Sequence, residues 1–260
     1  MIDLKHCTFL IPTLIDTPDR LENLLLIVKY LTTHLDTNIF IGEQNNLKCV
    51  AEEQLAIHKL SHPKVRCYNV DYHVPYFNRQ GIFNCMAKEV ETKCLVLYDT
   101  DVLLKPNQYL MACKQIMDDK FDMVYPYDGT FYEIARHYRK EIFESLYLSN
   151  IDLSTCKVLN PDSLGGAIVY NREVFIKGGM ENENFRGWGH EDFERFSRYQ
   201  KLGYRQCRIS DPLYHFEHQR VVSEFYIPDS DKNNIIEFFR LEKLTKEELL
   251  NEIKNWNWCK

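Results

Sequence analysis

Short apolar runs alternate with amphipathic stretches along the first hundred residues. Residues 7–11 (Cys-Thr-Phe-Leu-Ile) predict a buried first strand that stops at Pro12. Between residues 21 and 35 the apolar side chains Leu21, Leu24, Leu25, Val28 and Leu31 recur at helical spacing, which predicts an amphipathic helix. Residues 38–42 predict a second strand, 49–60 a second helix, 65–70 a short strand and 77–90 a third helix. Residues 93–98 predict a fourth strand, which runs through Leu95-Val-Leu-Tyr98 into Asp99 and Asp101. This alternation implies an α/β fold, a mixed, mostly parallel sheet with helices on both faces. Ligands of open α/β sheets bind at the carboxyl ends of the strands, where Asp99 and Asp101 fall.

The second half is less regular. A helix is predicted over 106–118, a strand over 122–125, a strand over 165–170 that opens on Gly165-Gly166, and a short helix from Arg172. A loop over 181–190 leads into a helix over 191–202 and a strand over 204–209. Residues 128–160 are mixed and hold a basic cluster, Arg136, His137, Arg139 and Lys140. A solvated helix face is the default reading of that cluster, and an acceptor-binding flap the alternative. Thr245 and Glu248 form a capping box for a last helix, with Trp256 and Trp258 expected to pack on the domain. No internal repeat or linker divides the chain, which reads as a single domain.

With 260 residues, 45% of them apolar and 27% charged, the chain has ample material for one core. A net charge of −6 without a long basic run argues against nucleic acid as a partner. The nine cysteines include no CxxC pair, so free thiols in a reducing compartment are expected. The first apolar run is too short to span a membrane. A cytoplasmic protein follows as the expectation, with a peripheral position at a membrane still compatible.

Three segments carry candidate chemistry. Carboxylates avoid burial unless they are paired or bound to a cation, so Asp99-Thr100-Asp101 at a strand end points to a divalent metal with a diphosphate ligand. In the segment 186–192, Gly187 and Gly189 flank Trp188, and Glu191 and Asp192 open a helix. Adjacent helical residues point about 100° apart, so one role each is expected, and one carboxylate suits a general base. In Tyr214-His-Phe-Glu-His218 the two imidazoles can meet one metal only if the chain turns between them. His218 is the preferred ligand and His215 the open one. Ahead of the third helix, Arg79 could meet phosphate or uracil and Phe77 could stack on a base. A salt-bridged Arg and a core Phe are the equal alternative.

The ordered set Ile11-Pro12, Phe77-Asn-Arg79 with Asn84, Asp99-Thr-Asp101, Gly165-Gly166, residues 187–192 and His218 resembles the catalytic domain of the β-1,4-galactosyltransferase family. Bacterial chondroitin-polymerase-type modules and other glycosyltransferase-A enzymes share it more loosely. The resemblance implies a single-domain glycosyltransferase-A fold, with a nucleotide-binding half over 1–105, an acceptor and catalytic half over 106–242 and a C-terminal helix and tail over 243–260. It implies an inverting transferase that moves galactose, or N-acetylgalactosamine, from a UDP-sugar to a hydroxyl of a glycan or glycoconjugate acceptor, as in surface polysaccharide synthesis. Manganese is the implied cofactor, with magnesium as substitute, held by Asp101 and His218, with His215 where the animal enzymes have methionine. Pro12, Arg20, Phe77, Arg79, Asp99, Thr100, Gly166 and Trp188 would line the donor site. Asp192 would be the base and Glu191 would bind sugar hydroxyls. Two departures stand out. Thr13-Leu-Ile-Asp16 replaces an Arg-bearing motif, leaving Arg20 as its nearest substitute, and Ser163 replaces an aromatic residue beside the donor sugar, which leaves the donor open. A nucleotidyltransferase acting on sugar phosphates and a non-catalytic carbohydrate-binding module are the rival readings.

Overall fold

Strand β1 (Ile2–Thr13) runs through the middle of the molecule, with Phe9, Leu10 and Ile11 fully buried. The structure is a computed structural model that describes residues 1–45, 48–70, 74, 76–187, 189–219 and 230–260. After β1 the chain alternates through α1 (Pro18–His34), β2 (Leu35–Gln44), α2 (Val50–Ile57), β3 (Val65–Val70), α3 (Arg79–Glu89) and β4 (Cys94–Tyr98). A two-residue strand, β5 (Val102–Leu103), precedes α4 (Pro106–Met117) and β6 (Met123–Tyr125). The stretch that the sequence left mixed folds as β7 (Phe131–Ile134), α5 (Arg136–Ser145) and β8 (Lys157–Asn160). There follow β9 (Ala167–Asn171), α6 (Arg172–Lys177), α7 (Glu191–Leu202), β10 (Gln206–Arg208) and β11 (Leu213–Phe216). Two helices close the chain, α8 (Ser230–Glu242) and α9 (Lys246–Asn255). The hydrophobic pattern did not announce α8.

Seven strands form the main sheet in the order β10-β6-β9-β4-β1-β2-β3. β3, β2, β1 and β4 are parallel, and β9 runs antiparallel between β4 and β6. The parallel strands are nearly continuous apolar runs because both faces are covered. A smaller sheet, β5-β11-β7-β8, lies beyond the carboxyl end of β4. Among the described residues, no helix is long and apolar enough to cross a membrane. All nine cysteines are free.

The first strand does not stop at Pro12. It continues to Thr13, with Pro12 opposite Gly42 in the β2 register. On its other side the pairing with β4 ends at Leu10 and Leu97, so no ladder bond is asked of the missing proline N–H. The capping box at the last helix forms as expected, Thr245 accepting from Glu248 N–H and Glu248 accepting in return. Trp256 is buried, and the Trp258 indole N–H donates to the Gly179 carbonyl at 3.1 Å.

Beneath the end of β4 lies a buried phenol network. The Tyr98 hydroxyl donates to the Val102 carbonyl at 2.6 Å and pairs with the Tyr109 hydroxyl at 2.6 Å. The Tyr109 oxygen accepts from Leu104 N–H at 3.0 Å, and Tyr30 donates to the Leu104 carbonyl at 3.1 Å. These bonds satisfy backbone groups of β5 and the residue after it, which gives the chain beyond residues 99–101 a fixed base.

Candidate active site

The carboxyl ends of the strands open into a cavity of about 600 Å³. Pro12 at the end of β1, Arg20 in α1, and Phe77 and Arg79 at the start of α3 line one part of it. Asp99, Thr100 and Asp101 after β4, Gly166 before β9, Glu191 and Asp192 at the start of α7, and His215 and His218 complete the wall. Thus every residue predicted for the site borders one cavity, except Trp188, which lies outside the described residues.

Asp101 is the meeting point of two imidazoles. Its Oδ2 lies 3.1 Å from His218 Nε2 and 3.6 Å from His215 Nε2. The ligand atoms of the three residues fall within 4.8 Å of one another. Both histidines reach one carboxylate because β11 ends at Phe216 and His218 lies beyond the regular strand. His215 is held in the ladder between β5 and β7, and its buried Nδ1 has no hydrogen-bond partner. Burial is the largest influence on the Asp101 carboxyl and pushes it up, but the His215 and His218 rings outweigh it and hold it well below the usual carboxylate range. The hydrogen bond to Asp101 raises His218 in return. Two nitrogens and a carboxylate converging at this distance fit a divalent cation.

Asp99 points elsewhere. Arg79 Nη1 donates to both of its oxygens at 2.9 Å. Arg79 Nη2 reaches Glu191 Oε1 at 3.4 Å and Asp192 Oδ1 at 3.6 Å. Arg79 is thus ion-paired while it also borders the cavity. Glu191 and Asp192 therefore share Arg79 as a neighbour, because the long guanidinium spans the angle between them. Burial pushes the Asp99 carboxyl up to about 6 against the pull of Arg79. Burial likewise pushes Glu191 up to about 7, helped by the neighbouring Asp192 carboxylate. Glu191 Oε2 also accepts from Gly189 N–H at 2.8 Å, which ties the glycine loop to the helix start.

Asp192 is held by a residue that sequence reasoning missed. Arg195 Nη2 donates to Asp192 Oδ1 and to the Leu164 carbonyl, while its Nη1 donates to buried Glu181 at 2.7 Å. The i, i+3 spacing of Asp192 and Arg195 on α7 was the signal available. Gly165 explains the glycine pair. A Cβ there would lie 2.6 Å from Asp192 Oδ2, so glycine leaves the carboxylate room in this position. Gly166 adopts φ +81°, a left-handed conformation open to glycine, and its carbonyl accepts from Asp99 N–H at 2.8 Å.

Near Phe77 the Arg20 guanidinium lies 5.9 Å from the ring and pairs with Asp16 at 3.2 Å. The basic cluster of α5 is not a solvated face throughout. Arg139 is buried and paired with Asp19 and Glu22, and Arg136 also reaches Asp19. The reason lies in α1, which packs against α5 and presents Asp19 in its first turn and Glu22 one turn on.

Residues 147–219 match the family model described as the N-terminal domain of galactosyltransferase. The earlier resemblance therefore holds over the stretch that carries the glycine pair, Glu191, Asp192 and both histidines. No curated protein matches the chain by sequence. Among solved structures, the chain is similar to residues 1–349 of S. aureus TarS in complex with UDP-GlcNAc, at 10% identity and a TM-score of 0.59, over 96% of this chain and 71% of that one. It is similar to M. tuberculosis glucosyl-3-phosphoglycerate synthase with Mn2+, UDP-glucose and phosphoglyceric acid, at 11% identity and a TM-score of 0.54, over 90% and 78% of the two chains. The catalytic domain of Drosophila β1,4-galactosyltransferase 7 with xylobiose matches at 19% identity and a TM-score of 0.47, over 80% of this chain. The chain spans 65% of the length of that Drosophila domain. The fold is glycosyltransferase-A.

Proposed function

We propose that the chain is an inverting, metal-dependent glycosyltransferase that moves galactose, or second N-acetylgalactosamine, from a UDP-sugar to a hydroxyl of a glycan acceptor. The observation that carries this reading is the convergence of Asp101, His215 and His218 in the same cavity as Asp192. A cation site suits the diphosphate of the donor, and a carboxylate beside it suits the acceptor hydroxyl. The match of residues 147–219 to a galactosyltransferase family supports galactose as first donor. The UDP-sugars in the TarS and synthase structures support a uridine donor.

In this reading Asp101, His218 and His215 hold manganese. When bound, the cation neutralises charge building on the departing UDP. Asp192, kept in place by Arg195, accepts the proton of the attacking acceptor hydroxyl. Attack from the face opposite the leaving group gives a β-linkage from an α-linked donor. Glu191 is buried and already accepts one N–H from the glycine loop, so it orients sugar hydroxyls rather than taking protons. Arg79 keeps Asp99 paired and thereby leaves Asp101 as the acid of the turn that faces the cation.

A thermal-shift panel of UDP, UDP-galactose, UDP-N-acetylgalactosamine, UDP-GlcNAc and non-uridine nucleotides, with and without manganese, tests the reading. The expected result is a uridine-specific shift that requires manganese. A nucleotide shift indifferent to manganese, or none at all, would sink it.

A further inference from the structure

We propose that Arg139 and Asp19 form a bracket that positions His218 for cation binding, which deepens and rests on the metal reading above. The two imidazoles of the site are held by different means. His215 sits in β11, paired on both sides by strand ladders. His218 lies past the end of that strand, where no ladder fixes it.

The bracket replaces the ladder. Arg139 Nη2 donates to the Glu217 carbonyl at 2.6 Å. Asp19 Oδ2 accepts from Gln219 N–H at 2.8 Å. These two groups belong to the two peptide units that flank His218, so both are tied. Arg139 Nη1 then closes the ring by donating to Asp19 Oδ1 at 3.1 Å. Both halves are anchored, Asp19 in the first turn of α1 and Arg139 in α5 with its side chain 7% exposed. The ring itself is aimed by a bond from Nδ1 to the Gln219 carbonyl at 3.2 Å. A carbonyl partner requires Nδ1 to carry a proton, which leaves Nε2 facing Asp101 as the metal-binding nitrogen. Holding Gln219 therefore fixes both the place of the imidazole and its tautomer. In this arrangement α5, which follows β7 in the chain and packs against α1, serves the cation site through Arg139.

The test is titration of the purified full chain with manganese, followed by calorimetry, for the wild type and for R139M, R139K and D19N. R139M is expected to weaken manganese binding about ten-fold or more, as loss of a group that orients a metal ligand does. R139K is expected to fall between, since an ammonium keeps the charge but cannot bridge Asp19 and the Glu217 carbonyl as a planar fork does. R139K and D19N carry the test if R139M does not fold. E22Q removes a third partner of Arg139 without opening the bracket, and should bind manganese like the wild type. In an H218A background R139M should add no further loss. Wild-type affinity in both Arg139 variants, or an equal loss in the H218A background, would overturn the bracket and leave only a packing role. A wild type that binds no manganese would overturn the metal reading beneath it, and is told apart because the unaltered chain fails.

Discussion

Arg79 donates from a single nitrogen, Nη1, to both oxygens of Asp99, at 2.9 Å each. The pair separates two acids that the sequence presents as equivalents, one residue apart. Asp99 is neutralised within the protein, and Asp101 is left to the imidazoles. Because Arg79 also serves Glu191 and Asp192, its removal takes a cationic partner from three carboxylates. R79M should destabilise the fold by about 2–4 kcal/mol, less than a fully buried pair because both partners keep some solvent contact. Chemical denaturation measures this, and a change below experimental error would mean that the three acids relax into solvent.

Asp192 and Asp101 should separate cleanly in function. D192N is expected to retain manganese-dependent UDP binding while turnover falls at least about 100-fold, the usual contribution of a positioned base. D101N should instead lose the manganese requirement of UDP binding together with turnover. Parallel binding and transfer assays give the comparison. Normal turnover in D192N would remove it as the base.

Gly165 offers a subtler probe of the same carboxylate. The Cβ of G165A would lie 2.6 Å from Asp192 Oδ2, so the carboxylate must swing aside. The expected outcome is lower kcat with donor affinity preserved, and a stability cost of about 1–3 kcal/mol at most. Unchanged kcat would show that the Asp192 oxygen facing Gly165 is not needed in place.

The pH dependence of stability follows from Glu191. Burial raises its folded pKa to about 7 from a model-peptide value of 4.5. Between those values the native state holds more protons than the unfolded chain, so this residue's contribution is full below pH 4.5 and is lost as pH rises through 7. E191Q should therefore flatten the fall in stability across that window, a difference on the order of 1–3 kcal/mol between wild type and variant. Denaturation midpoints at pH 4.5 and 7.5 read it out. Parallel slopes for the two proteins would refute the assignment.

Asn234 of α8 ties down the loop that precedes α7. Its side chain accepts from Arg186 N–H at 3.1 Å and donates to the carbonyls of Arg186 and Gly189 at 3.0 and 3.2 Å. N234A should speed hydrogen exchange of the Arg186 amide and cost about 1–3 kcal/mol from unpaired backbone groups. Exchange at the wild-type rate would mean that other contacts hold the loop.

Much of this protein was legible before folding. The alternation of apolar runs and amphipathic stretches determined the parallel sheet, because strands buried on both faces must be apolar and helices covering them must carry one apolar stripe. The apolar run from Leu95 to Tyr98 that ends in acids located the site, since buried carboxylates need partners. What the sequence could not decide was pairing. Which acid faces the imidazoles depends on Arg79, twenty residues upstream of Asp99. What holds Asp192 depends on Arg195 and on the missing Cβ of Gly165, which the segment before β9 brings against the start of α7. His218 depends on Asp19, two hundred residues away in the chain. Periodicity records only which way a side chain faces on its own element. Hydrogen-bond and charge partners at these separations are set by how the elements pack, and only the tertiary structure contains that.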